Sequence, residues 1–257
     1  MRIHPMVTAA SLLVAAACTI TTSAHSAARV DTLIAGRSVR GMAAPHPFAD
    51  TLATWSMRDG QRRDGTTYTR SLSRVHDGSR EFWRMQHEWR AADGHISSRT
   101  QSDADLSLRP LRANTRADRD SAVVAVAAGR LVGFAATGTG APRTFNDALR
   151  FAPYGPDYSD LVISSLPLKP GYRVVLAGIA PFKQGEPEVR WDVNVVGRDS
   201  LETAGAWRDC WKVEQRVMYG DGTVVTLWVD QKTRRLWQKS GAPAGSGLTW
   251  FHRVTNP

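Results

Sequence analysis

The sequence predicts an all-β fold with a minor helical insertion, in which a highly curved antiparallel sheet of about ten strands forms an unclosed β-barrel. The first observation is that apolar and polar residues alternate with period two in residues 80–90 and 207–219, as expected of half-buried strands. The second is the series of turn signals, such as residues 220–222, between such segments. Short strands at this spacing are typical of a sandwich, a barrel or a strongly curved sheet.

The N-terminal residues 1–28 have the three parts of a bacterial secretory signal. A basic start at Arg2 precedes the uncharged, apolar residues 7–20, and small residues follow at 23–28. The apolar part is too short to span a bilayer. We expect cleavage between Ala24 and Ala28. Residues 29–257 then form a single β-rich envelope domain, either periplasmic or associated with the outer membrane.

The chain has two cysteines, Cys18 and Cys210. Cys18 follows three alanines, which resembles a lipoprotein signal in which the cysteine becomes lipidated and attaches the protein to a membrane. The alternative is plain cleavage between Ala24 and Ala28, which removes Cys18 with the signal. In either case an exported chain with Cys210 alone has no internal disulfide, so its stability must come from packing.

The composition is basic, with 33 Lys and Arg against 24 Asp and Glu. Arg2 is the one charged residue in the predicted signal, so its removal changes the net charge from +9 to +8. A positive charge attracts anionic partners such as lipid headgroups. The basic residues are scattered, however, which favours a solvated surface. We expect no nucleic-acid partner for an exported chain.

Regular structure begins near residue 66 in the first half of the chain. We predict strands over residues 66–75, 80–90, 95–103, 106–115, 122–128 and 130–136. Pro110 lacks an amide N–H, so its strand must lie at an edge or contain a bulge. Residues 29–53 have weak periodicity, and two prolines make residues 43–47 a loop.

The alternation stops in residues 137–168, which form the predicted insertion. A short helix is expected over residues 144–151, and a second near residues 161–164 with Asp157 as its cap. Two interpretations remain open. The insertion is either a lid or plug over one face of the sheet, or an ordinary crossover connection.

The second half is predicted to be a meander of antiparallel strands. Alternating or β-branched segments cover residues 172–179, 189–195, 200–203, 207–219, 224–230, 235–239 and 248–254. Residues 197–199 carry a turn signal between two of them. No internal repeat or domain linker interrupts the series.

Three short motifs in this half resemble a known family. They are residues 164–171, residues 193–202 with Gly205 and 210–214, and residues 227–230 with 234–236. Their order resembles the uncharacterised domain family DUF3108, related to lipoprotein carriers of the LolA and LolB type, over about residues 161–239. The resemblance implies an unclosed barrel with a plug over an apolar cavity. LolA-type proteins hold acyl chains in that cavity and catalyse no reaction.

The nine tryptophans are the main candidates for a ligand-binding surface. If the sheet has an apolar concavity, we expect its lining to include Trp83, Met85, Trp89, Trp191 and Val193. Aromatic rings often line such pockets. The alternative is that these side chains fill the core.

The motifs of common enzymes are missing from the sequence. His87 and His95 flank a predicted hairpin turn, but His87 and Glu88 point to opposite faces of a strand, so we predict no metal site. There is no nucleophile elbow or nucleotide-binding fingerprint. Cys210 lies between Asp209 and Trp211 on a predicted strand, where a buried or edge thiol is expected rather than a catalytic one with a lowered pKa, so we expect no catalytic residue. We predict no cofactor.

The leading functional prediction is therefore non-enzymatic binding of a hydrophobic or amphipathic ligand, a lipid or a lipidated protein, in the cell envelope. Arginines at the rim would hold an anionic headgroup. The alternatives are a structural partner in an envelope complex and an envelope hydrolase. The oligomeric state is not predicted.

Overall fold

The computed structural model describes residues 30, 32–91, 93–138, 140–155, 157–181, 187–218 and 222–256. Within these residues, fifteen strands form one sheet. The predicted signal, residues 1–28, and Cys18 lie outside the described residues. The all-β, curved and unclosed architecture is confirmed, but the predicted number of about ten strands is wrong.

The strands follow one another along the chain with a helix between the two halves. The first half contains β1 (Thr32–Leu33), β2 (Phe48–Arg58), β3 (Gln61–Asp77), β4 (Arg80–Arg90), β5 (Ile96–Ala104), β6 (Pro110–Ala117), β7 (Asp120–Ala127), β8 (Arg130–Thr137) and β9 (Arg143–Ala148). Helix α1 (Ser159–Ser165) follows. The second half contains β10 (Arg173–Ile179), β11 (Glu188–Thr203), β12 (Ala206–Val217), β13 (Val224–Asp230), β14 (Leu236–Ala242) and β15 (Leu248–Val254).

The sheet consists of two antiparallel meanders joined side by side. The strand order is β1-β10-β11-β12-β13-β14-β15-β2-β3-β4-β5-β6-β7-β8-β9. The last strand of the chain, β15, pairs with β2 over seven residue pairs, from Leu248↔Arg58 to Val254↔Leu52. This long-range pairing makes the two meanders one sheet.

The two edges of the sheet are β1 and β9. The short β1 pairs with β10 in parallel, opposite Val175 and Leu176. The chain after β9 also lies beside β10. The amide of Ile179 donates to the carbonyl of Tyr154 at 3.2 Å. Tyr154 forms a parallel bridge with Gly178. The segment after β9 therefore covers part of the β10 edge without adding a regular strand there.

Helix α1 packs its apolar side chains into the curve of the sheet. Leu161, Val162 and Ile163 are buried, and the hydroxyls of Ser164 and Ser165 donate to the carbonyl of Leu161. These bonds satisfy two buried polar groups. Among the described residues, no helix is long and apolar enough to cross a membrane.

The helix ends at Ser165, and its C-cap residue Leu166 precedes a proline. The φ and ψ angles of Leu166 are −63° and 154°, an extended conformation. Pro167 follows it, and a proline disfavours the helical conformation in the residue that precedes it. The sequence therefore sets the C-terminal end of α1.

Four local predictions require correction. Regular structure was expected to begin near residue 66, but β2 begins at Phe48. Residues 144–151 were expected to be helical, but most of them belong to β9, which pairs with β8 from Arg143↔Ala135 to Ala148↔Arg130. Asp157 does not cap α1; it accepts a hydrogen bond from Ser102, and the N-cap residue Tyr158 makes no side-chain cap bond. Residues 197–199 do not turn the chain, because β11 continues through a bulge there.

Candidate functional site

Four of the five predicted lining residues lie together in the main core. Trp83, Met85, Trp191 and Val193 are all less than 8% exposed. They share one apolar cluster with the buried residues of α1, together with side chains from β3 and from β11 to β14. The sheet therefore curves around the helix, and the space that these four residues face is filled.

Trp89 lies in a neighbouring aromatic cluster. Its ring stacks on Tyr68 with centroids 4.3 Å apart and meets His252 edge-on at 4.9 Å. Trp89 is half-buried and packs against a second group of core residues. The structure thus separates Trp89 from the other four predicted residues.

A pocket of about 530 Å³ opens beside α1, between three segments of the chain. Its walls are residues 43–50, the helix residues Asp160, Leu161, Ser164 and Ser165, and the turn from Lys232 to Leu236 between β13 and β14. The amide of Ala43 donates to the carbonyl of Ser165 at 2.8 Å, which holds the first segment against the helix. The proline-rich loop predicted at residues 43–47 therefore forms one wall of a pocket.

The base of this pocket contains a carboxylate shared by two guanidinium groups. Asp50 accepts hydrogen bonds from the Nε and Nη2 of Arg70, at 3.0 and 2.7 Å, and from Arg235. Arg70 also donates to the carbonyl of Leu236 at 2.9 Å. Asp50 and Arg70 are buried. Hydrogen-bonded ion pairs of this kind fix the geometry of the groups they join.

The turn between β13 and β14 is organised by Asp230. One carboxylate oxygen accepts the amide N–H groups of Lys232 and Thr233, each at 2.8 Å, and the other accepts the indole N–H of Trp237 at 3.1 Å. Burial alone would raise the pKa of Asp230, but these hydrogen bonds hold the pKa below its ordinary value. The charged carboxylate therefore keeps the turn ordered at neutral pH.

This turn places two consecutive arginines at the pocket. Arg234 adopts a left-handed backbone conformation with φ of 62°, and its amide donates to the carbonyl of Asp230 at 3.1 Å. The guanidinium of Arg235 lies 4.3 Å from the centre of the Trp237 ring, and that of Arg208 lies 4.7 Å from it. The indole therefore helps to position Arg235.

A second ion pair adjoins the pocket from the helix side. The ammonium group of Lys239 lies 2.8 Å from a carboxylate oxygen of Asp160. Burial opposes the charged form of each group, yet the partner's charge lowers the pKa of Asp160 and raises that of Lys239. Both groups therefore stay charged at neutral pH, and the pair ties α1 to β14.

The histidines of the interior are neutral. Burial lowers the pKa of His87, and its Nδ1 lies 3.0 Å from the hydroxyl of Tyr68. Burial and the charge of Lys239 lower the pKa of His252 to about 3. His95 is exposed beside Asp118, with Nε2 3.2 Å from the carboxylate. Within the described ranges, no group of three or more His, Cys, Asp or Glu side chains is placed to hold a metal ion.

Cys210 is buried on β12. Burial, together with the neighbouring Asp230, raises the pKa of its thiol to about 12. The thiolate is the nucleophilic form of cysteine, so this environment makes Cys210 a packing residue at neutral pH.

The residues that form the pocket were missed at the sequence level. Asp50 falls in a region of weak periodicity, and Arg70 occurs on a strand where a charged side chain is expected to face solvent. Arg234 and Arg235 were noted as part of a family motif, without a role. One sequence signal was Asp230, because an aspartate at the start of a turn typically accepts hydrogen bonds from nearby backbone amides, and the two arginines follow it in the same turn.

Comparison with one solved structure shows a shared fold at very low sequence identity, and a second structure gives a weaker match. A β-barrel-like protein of the domain of unknown function DUF1849 from Brucella abortus is 9% identical, with a TM-score of 0.51 over 81% of this chain and 97% of that chain. The hypothetical lipoprotein YmcC from Escherichia coli is 12% identical, with a TM-score of 0.34 over 86% and 91% of the two chains.

Comparison at the sequence level gives the family. No curated protein matches the chain. The family described as "Protein of unknown function (DUF3108)" matches residues 54–247, which include most of the sheet and α1, and this confirms the family that the three sequence motifs suggested. The protein is therefore a member of the DUF3108 family.

Proposed function

We propose that this protein binds an amphipathic molecule in the cell envelope, without catalysing a reaction, and that the ligand occupies the pocket beside α1. The observation that carries the proposal is the pocket itself, which combines an apolar wall with a charged base in about 530 Å³. Small-molecule sites in proteins typically have volumes of about 300–1,000 Å³ and few, well-placed polar groups.

The pocket presents both apolar and charged side chains, which suit the two parts of an amphipathic ligand. Apolar side chains on its walls include Pro45, Pro47, Phe48, Leu161 and Leu236. An acyl or other apolar group that covers them would be removed from water, which contributes about 25 cal/mol per Å² of buried apolar surface. The arginines and serines of the pocket would meet the polar end.

Four of the five lining residues predicted from the sequence would contact the ligand only if helix α1 moved. Leu161 contacts the pocket and also belongs to the core cluster that contains Trp83 and Trp191. An acyl chain could reach those tryptophans only if α1 moved. A brominated fatty acid, which quenches tryptophan on contact, would test this. If the brominated acyl chain enters the core, the fluorescence of Trp83→Phe and of Trp191→Phe should be quenched less than that of the original protein.

The proposed location depends on the N-terminal residues. A secretory signal over residues 1–28 would deliver the protein to the periplasm, and lipidation at Cys18 would attach it to a membrane. The mass of the mature N-terminus distinguishes these two outcomes, because a chain that begins at lipidated Cys18 retains residues 18–28, eleven more than a chain cleaved after Ala28.

The direct test is native mass spectrometry of the protein purified from its own envelope, before and after organic extraction. We expect a bound mass that extraction removes. Ala44→Trp should block the pocket and reduce the bound fraction at least fivefold, since Ala44 lies on its wall. Ala141→Trp changes an equally exposed loop alanine outside the pocket and should retain the ligand.

Two results would contradict the proposal. One is a chain that carries no extractable mass and takes up no envelope lipid after delipidation, which would favour the alternative of a structural partner in an envelope complex. The other is equal loss of ligand in Ala44→Trp and Ala141→Trp, which would place binding elsewhere.

A further inference from the structure

We propose that the turn between β13 and β14 forms a seat for an oxyanion, a phosphate or carboxylate group, and that this group is the polar head of the ligand. The inference rests on the proposed function for the apolar part of the ligand and adds the chemistry of its head. It is carried by the charges and the unpartnered nitrogen atoms at the base of the pocket.

The pocket has more cationic than anionic side chains. The cationic residues on its walls are Arg70, Lys232, Arg234 and Arg235, and the anionic residues are Asp50 and Asp160. Asp160 is already paired with Lys239, which lies just beyond the wall. Asp50 is therefore the one carboxylate of the wall left to balance four cations, and a bound anion would supply the missing negative charge.

Both oxygens of Asp50 are occupied by two of the pocket's guanidinium groups. Arg70 occupies one of its oxygens with two N–H groups, and Arg235 occupies the other. Within the described residues, Nη1 of Arg234 and Nε of Arg235 are buried without a hydrogen-bond partner. A buried donor without an acceptor costs about 1–3 kcal/mol, and more when it is charged. Both arginines line the pocket, so an oxyanion there would provide the missing acceptors once the guanidinium groups turn towards it.

The arginines are also held in position before any ligand binds. Asp230 fixes the turn through the amides of Lys232 and Thr233, and Trp237 supports the guanidinium of Arg235. A planar guanidinium can donate two parallel hydrogen bonds to a phosphate or carboxylate. Preorganised donors lose little conformational entropy on binding, so the turn is suited to recognise an oxyanion.

The carboxylates of the pocket oppose an anionic ligand, but both are neutralised. Asp50 is shared by two guanidinium groups and is only 3% exposed. Asp160 lies against Lys239 at 2.8 Å. Neither presents an unpaired negative charge to the pocket. The positive charges of Arg234 and Lys232 are therefore in surplus and make the local electrostatic potential positive.

Isothermal titration calorimetry of the delipidated protein tests the inference with three probes. These are dihexanoyl phosphatidic acid, dihexanoyl phosphatidylcholine and inorganic phosphate. We expect phosphatidic acid to bind at least tenfold more tightly than phosphatidylcholine, whose positive charge balances its phosphate. We also expect increasing salt to weaken the binding of phosphatidic acid more than that of phosphatidylcholine.

The matched variants are Arg234→Gln in the pocket and Arg116→Gln on the exposed surface of β6. Loss of a charge-assisted hydrogen bond predicts about tenfold weaker binding of phosphatidic acid to Arg234→Gln. Arg116→Gln should change it less than twofold. Arg234→Lys keeps the positive charge but loses the two parallel N–H donors of the guanidinium group, and should give an intermediate affinity. Far-ultraviolet circular dichroism of each variant establishes that it is folded.

The outcomes separate this inference from the proposed function. Equal affinity for the two lipids, unchanged in Arg234→Gln, would overturn the oxyanion seat and leave amphipathic binding intact. Inorganic phosphate that binds as tightly as phosphatidic acid, and is lost in Arg234→Gln, would support the seat and overturn an amphipathic ligand. No binding of any probe would overturn both.

Discussion

Replacement of Asp50 by asparagine removes the negative charge that two buried guanidinium groups share. Asparagine has nearly the same shape, so the change tests charge with little change in packing. The side chain of Asp50 is 1% exposed, and those of Arg70 and Arg235 are 6% and 25% exposed. Water therefore cannot replace the lost carboxylate around Arg70.

The expected cost follows from this burial. Removal of one partner of a buried ion pair costs about 3–5 kcal/mol, because the remaining charge is left uncompensated. We take the lower end, about 3 kcal/mol, since the amide oxygen of asparagine still accepts a hydrogen bond from Arg70. For a chain of this size that corresponds to a decrease in melting temperature of roughly 6–12 °C.

Urea unfolding followed by tryptophan fluorescence measures the free energy of unfolding for Asp50→Asn. The matched control is Asp64→Asn, which breaks the exposed pair of Asp64 with Arg62, at 77% and 57% exposure. Exposed pairs contribute about 0–1 kcal/mol, so the control should differ little from the original protein. A double variant with Arg70→Gln should cost less than the sum of the two single changes, since both remove the same interaction.

The reasoning would be refuted if Asp50→Asn and Asp64→Asn had free energies of unfolding within 1 kcal/mol of each other. Such a result would mean that water or a movement of the turn compensates the two guanidinium groups. Additive effects of the Asp50 and Arg70 changes would likewise contradict a shared interaction.

Three further predictions concern the interior of the sheet. Because burial lowers the pKa of His252 to about 3, the unfolded chain takes up a proton below about pH 6.5 while the folded chain does not. The free energy of unfolding should therefore fall as the pH decreases from 6.5 towards 3, by up to about 1.4 kcal/mol per pH unit. Urea unfolding at pH 7.5 and 4.5 should show a smaller decrease in this free energy for His252→Phe than for the original protein. Gly178→Ala would place a Cβ 1.9 Å from the ring of Trp191 and should cost about 1–3 kcal/mol in the same assay; Gly197→Ala, with open space around it, is the control, and equal costs would refute the clash. Tyr158→Phe removes a buried hydroxyl whose single hydrogen is shared between two strand carbonyls, at 3.0 and 2.9 Å, and should lower the melting temperature by roughly 2–8 °C; an unchanged melting temperature would show that this contact does not stabilise α1.

Several strands were predictable because their pattern is local. Alternation over residues 80–90 gave β4, with Trp83 and Met85 on the buried face. The same pattern over residues 207–219 gave most of β12. A side-chain period of two follows from strand geometry alone, so no knowledge of partner strands is needed.

Other strands could not be predicted, because their pattern depends on distant partners. The strand β2 has a register shift between Ala53 and Trp55 where it pairs with β3, and this irregularity breaks the alternation. It also pairs with β15, nearly two hundred residues later. The expected helix at residues 144–151 failed for a related reason: pairing with β8 prevailed over a weak local preference for helix.

The candidate site likewise combines residues that are neighbours in sequence with residues that only the fold brings together. Asp230 and the two arginines of the turn are close in sequence, and they form part of the family motif noted in the sequence. Asp50 and Arg235 are 185 residues apart along the chain, and no local pattern connects them. The pairing of β15 with β2 brings them together.

The sequence alone thus determined the all-β class, the positions of most turns and the family motifs. These depend on side-chain period, turn chemistry and short residue patterns, all of which act over a few residues. The tertiary structure decided three things: which strands are neighbours, that α1 fills the curve of the sheet, and that a charged pocket opens beside the helix. These depend on contacts between segments far apart in the chain, where burial and charge pairing are settled only by the folded arrangement.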